Sequence, residues 1–116
     1  MKYNIEGLAE ELEVELESIV GLYTSYIEEM KEEILEMTTY LEKTDWTMLE
    51  RVIHNIKGVS ANLCIMDVFS EAEKFDLLLK KNITLDCDKH ITKLINLIRD
   101  SEVEIKSFFN ERGLEV

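Results

Sequence analysis

The sequence predicts an all-α fold: an antiparallel four-helix bundle with a short additional N-terminal helix. Two observations lead there. The 116 residues include no proline and only four glycines, so little interrupts a helix, and Glu, Leu, Ile, Lys and Met, which favour helices, dominate the rest. Apolar residues also recur three and four apart nearly throughout, with no sustained strand alternation.

A first short helix is expected from about Asn4, a capping residue, to Glu11, with Ile5, Leu8 and Leu12 on one side. A long second helix should follow to about Lys43, its stripe Leu16, Ile19, Tyr23, Ile27, Met30, Ile34, Met37 and Leu41 facing the core. Gly21 lies inside it and weakens it, a place for a bend. Thr44 and Asp45 are caps for a third helix that Trp46 begins, with Leu49, Val52, Ile56, Val59 and Leu63 inward. A break near Cys64 to Asp67 leads to a fourth helix ending around Lys81. The polar stretch Asn82 to Asp88 offers Asp86 or Asp88 as the cap of the last helix. That helix points Ile91, Leu94, Ile98, Ile105 and Phe108 inward and stops near Gly113. Four substantial helices on short connections pack best as a bundle. A chain of this length makes one domain, residues 1–116, and buries about two-thirds of its unfolded surface without disulfide or metal.

The formal net charge is −12, which argues against nucleic acid or an anionic membrane as partner, since both reward clustered Lys and Arg. Residues 1–50 hold 14 acids against 3 lysines, residues 51–116 hold 11 against 10 bases. The excess is either a solvated helix face or a charge-selective docking surface. Two cysteines make no disulfide framework, and no signal or membrane-spanning stretch is visible, so a cytoplasmic protein with free thiols is expected.

The stretch that carries chemistry is His54-Asn55-Ile56-Lys57-Gly58-Val59-Ser60-Ala61-Asn62-Leu63. His54 falls at the edge of the apolar stripe, reachable by a partner yet able to be held on its buried side. A neutral imidazole with one nitrogen protonated and fixed leaves the other free to attack a phosphoryl group. Lys57, one turn on, can stabilise phosphoryl oxygens. Gly58 in mid-helix costs about 1 kcal/mol relative to alanine, which close approach of another protein beside the histidine would offset. Taken singly, each residue also has an ordinary reading as surface histidine, chance lysine or packing glycine; their joint spacing is the signal.

That spacing resembles the signature of histidine-containing phosphotransfer (HPt) domains. The likeness extends to chain size, helix order, the Asp45-Trp46 start of the histidine helix and the acidic helix after it. The resemblance implies a phosphoryl carrier without intrinsic kinase activity: His54 accepts the phosphoryl group, Lys57 stabilises it, and Gly58 gives a partner clearance. It also implies a polar side chain on the next helix against the second ring nitrogen. Asp76 stands at that offset, and a solvated helix acid is the other reading of it. Partners would be a receiver domain, a histidine kinase or both, with magnesium on the receiver's side and no cofactor on this chain, which would act as a monomer. The family docks receivers through apolar residues, for which Ile5, Leu8 and Ala61 are candidates, a core position being the alternative for Ile5 and Leu8. Cys64 departs from the family, where glycine commonly ends the histidine helix, and puts the geometry of that break in doubt.

Two other functions fit the same residues: the phosphoacceptor domain of a chemotaxis-type histidine kinase, and a helical interaction module that takes no phosphate. Intact Lys57 and Gly58 count against the second. Metal chemistry finds no support, because Cys87-Asp88-Lys89-His90 lacks a second ligand pair and Glu50 stands four residues before His54 rather than three.

Overall fold

The computed structural model describes residues 2–116, and five α-helices account for most of them: α1 (Ile5–Glu11), α2 (Leu16–Glu42), α3 (Trp46–Asn62), α4 (Met66–Lys80) and α5 (Cys87–Asn110). No strand occurs among the described residues. The expected boundaries hold to within one or two residues for α1 to α4. Asn4 caps α1 by accepting from the Gly7 N–H at 3.0 Å, and Asp45 caps α3 by accepting from the Met48 N–H at 3.1 Å. α5 differs. Asp86 holds its N-cap position but is left-handed, and its side chain accepts no capping bond. α2 runs unbroken through Gly21.

A chain without proline still has to turn four times. All five helices end in the same motif, with a left-handed residue after the last turn: Glu13, Thr44, Cys64, Asn82 and Gly113, at φ between 50° and 73°. The next N–H then reaches back five residues, from Val14 to the Ala9 carbonyl, Asp45 to Tyr40, Ile65 to Ser60, Ile83 to Leu78 and Leu114 to Phe109, at 2.9–3.0 Å. These bonds satisfy carbonyls that a helix end leaves orphaned. Only one of the five residues is glycine. Cys64 therefore ends the histidine helix with a left-handed backbone and without glycine, at roughly 1 kcal/mol of steric cost.

α2 packs on α3, α3 on α4, and α4 on α5, which closes back on α2; α1 lies on α2. The expected stripes face inward, with Tyr23, Met37, Leu49, Ile56, Leu94 and Ile105 wholly buried. Ile53, Val68 and Phe75 are as deeply buried, while Leu12, expected on the inner side of α1, is half exposed. Hydrogen bonds lock the helices in register. The Tyr23 hydroxyl donates to the Leu63 carbonyl at the end of α3, at 3.0 Å, and Tyr26 pairs with Ser101 at 2.8 Å.

Candidate functional site

α3 buries Leu49, Val52, Ile53, Ile56 and Ser60. His54 is one step round from that face, so its side chain keeps 61 % of its exposure while its Nδ1 lies 3.3 Å from Asp76 Oδ2. Asp76 projects from α4 and is fully buried. The ring is thus open to solvent and held from beneath. With Nδ1 protonated and donating to the carboxylate, Nε2 carries the lone pair.

Asp76 Oδ2 collects more than the histidine. Lys57 Nζ stands 3.5 Å away and Lys80 Nζ 2.9 Å, the latter one helical turn from Asp76 on α4. Burial alone would raise this carboxyl. The hydrogen bonds from Glu50, Lys80 and His54 outweigh it and hold the pKa down to about 2. Glu50, one turn before His54, takes the opposite shift, upward, chiefly because its carboxyl hydrogen-bonds Asp76, with burial adding to the rise. Its Oε1 also lies 3.8 Å from Lys80 Nζ. Asp76 Oδ1 is buried with no hydrogen-bond partner.

Glu50, His54 and Asp76 each place a ligand-type atom within 4.8 Å of the others. Two lysine ammonium groups already crowd the shared oxygen, so the charge there suits an anion above the ring better than a metal ion beside it. Next to His54 an open groove of about 600 Å³ is lined by Glu33, Glu36, Met48, Glu50, Arg51 and Asn55, among others. Glu33 accepts from the Asn55 side-chain amide at 3.2 Å, but its other oxygen is buried without a partner. Desolvation, then repulsion from Glu36 and Glu29, pushes its pKa up to about 7.

Among the residues singled out in the sequence, His54, Lys57, Gly58 and Asp76 come together. A Cβ added at Gly58 would meet nothing within 4 Å, so no neighbour in this chain requires glycine there. Ile5 and Leu8 do not join them. They are 1 % and 8 % exposed, in the core, and of the three docking candidates only Ala61 keeps part of its surface. Sequence reasoning missed Lys80 and Glu50, although each is a helical neighbour, four residues away, of a residue it did name.

A model of the Hpt domain family matches residues 21–103, a span that holds every member of this cluster. The chain belongs to the Hpt domain family. Hpt domains are phosphocarrier modules of two-component signalling rather than kinases, and they interact with receiver domains and kinases. No curated protein and no solved structure matches the chain. The Hpt match begins inside α2 and leaves α1 out. Among the described residues of this Hpt domain, no helix is long and apolar enough to cross a membrane.

Proposed function

We propose that the chain is a phosphorelay intermediate, accepting a phosphoryl group on His54 and exchanging it with the aspartate of a receiver domain. One observation carries the reading: a solvent-open imidazole whose Nδ1 faces an ionised, fully buried carboxylate at 3.3 Å. In the transfer, the Nε2 lone pair forms a bond to phosphorus while the P–O bond of the receiver's aspartyl phosphate breaks, its electron pair leaving on the aspartate. No proton has to move. The ring becomes a phosphorylated cation, and Asp76 beneath it stabilises that charge, so the reverse transfer stays accessible too.

Lys80 gives Asp76 a second counter-ion, which frees Lys57 to turn its ammonium toward the phosphoryl oxygens. Gly58 leaves room for the partner's active-site loop one turn from the acceptor. Magnesium belongs to the receiver and neutralises the aspartyl phosphate before transfer; this chain needs no cofactor of its own. The reading takes residues 1–116 as one domain and a cytoplasmic monomer, with an antiparallel four-helix bundle as the frame that holds α3 against α4.

The test is transfer of labelled phosphate from a phosphorylated receiver of the source organism. The wild-type chain should acquire an acid-labile, alkali-stable label, and His54→Gln should acquire none. Undiminished labelling of His54→Gln overturns the assignment.

A further inference from the structure

The fold contains a second histidine built much like the first. His90 lies in the first turn of α5, where its Nδ1 is 3.6 Å from Glu71 Oε1, a distance of ionic rather than close hydrogen-bonded contact. Glu71 comes from α4, the helix that supplies Asp76, and its side chain is only 5 % exposed. Lys93, three residues after His90 as Lys57 is after His54, sets its Nζ 3.2 Å from Glu71 Oε2. The imidazole stacks on Phe75, ring centroids 5.3 Å apart and planes 26° from parallel, and keeps 30 % of its side-chain exposure. Thus α4 directs one buried carboxylate to a histidine of α3 and another to a histidine of α5, each with a lysine one turn further along.

We propose that His90 is a second phosphoryl-accepting site, loaded by small donors with a nitrogen–phosphorus bond, the phosphoramidate class. Glu71 and Lys93 repeat what the first site requires: an anion facing Nδ1 and a mobile ammonium for the phosphoryl oxygens. Two differences set the donor's size. Phe75 covers one face of the ring, and the residue four positions on is the buried Leu94 rather than an exposed glycine. A receiver domain finds no cleared helix surface there, whereas a donor of a few atoms needs none. In the reaction the Nε2 lone pair forms the new N–P bond. The N–P bond of zwitterionic phosphoramidate breaks, and its electron pair leaves with nitrogen as ammonia. Nδ1 keeps its proton, and the cationic phosphorylated ring is balanced by Glu71.

The experiment treats the whole chain with phosphoramidate and maps the product by mass spectrometry under alkaline conditions. Wild type should take up two phosphoryl groups, His54→Gln one at residue 90, and His90→Gln one at residue 54. The double variant should take up none. Lys93→Ala, an exposed change that leaves the core alone, should slow loading of His90 several-fold and leave loading of His54 unchanged. Loading of His90 should also be faster than that of N-acetylhistidine in the same tube. The idea fails if His54→Gln, folded by circular dichroism, remains unlabelled at residue 90. It fails equally if His90 reacts no faster than N-acetylhistidine or is indifferent to Lys93→Ala. The proposed role of His54 is read separately, in His90→Gln.

Discussion

Asp76 Oδ2 meets three cationic or proton-bearing groups, from His54, Lys57 and Lys80, within 3.5 Å. A carboxylate so placed favours the ring tautomer with its proton on Nδ1 and would offset the charge created by the proposed phosphorylation. Asp76→Asn keeps an oxygen near Nδ1 but removes the charge, so single-turnover transfer from a receiver should slow by roughly tenfold or more, with receiver binding unaltered. A rate unchanged in rapid-quench measurements would assign Asp76 to structure alone. His54, Lys57 and Gly58 were legible in the sequence because they share one helix turn and a helix fixes their spacing. Asp76 was reached only through the family's offset. Lys80 and Glu50 were not reached, because i,i+4 charge pairs abound in this chain and only the packing of α3 on α4 decides which of them converge.

On the scale of elements, α3 carries a glycine that its fold does not use. Gly58→Ala should therefore stabilise the protein by about 1 kcal/mol in urea unfolding. It should also slow transfer from a receiver while sparing reaction of His54 with phosphoramidate, which needs no docking. Equal slowing with both donors would show the alanine disturbing the histidine itself. Helix positions were readable because a 3.6-residue apolar period and the caps Asn4 and Asp45 are local signals. The terminations were less so. Glu13, Thr44 and Cys64 take left-handed backbones that their side chains disfavour, while Asn82 tolerates its own; the returning 2.9–3.0 Å bonds, and at α3 the burial of Ile65, decide the turn instead. Ile5 and Leu8 looked equally suited to core or partner in a short amphipathic helix; the docking of α1 on α2 puts them inside.

Across the whole molecule, two carboxyl groups pull stability in opposite directions with pH. Asp76 has its pKa depressed from 3.8 to about 2. Its contribution, at most about 2 kcal/mol by linkage and partly offset by the raised Glu50, is present above pH 3.8 and lost as the pH falls toward 2. Glu33, raised from 4.5 to about 7, costs stability once ionised, so this cost disappears as the pH falls from about 7 to 4.5. The net charge of −12 adds self-repulsion of the same sign at neutral pH. Unfolding free energy should thus be higher near about pH 5.5 than near about pH 8. Glu33→Gln should narrow that difference by about 1 kcal/mol, the order of one unsatisfied buried oxygen. A flat profile, or one unmoved by this variant, would contradict the assigned burial of Glu33. The acid excess of residues 1–50 was visible in the composition, whereas the half-buried Glu33 with one unpartnered oxygen was not, because that oxygen is shielded only where α2 meets α3.

The most direct test of the central claim asks which nitrogen bears the phosphoryl group after transfer from a receiver. Nitrogen-15 and phosphorus-31 NMR of the phosphorylated chain should show phosphorus on Nε2 of His54 and a proton retained on Nδ1 toward Asp76. Phosphorus on Nδ1 of His54, or on any other residue, would contradict it.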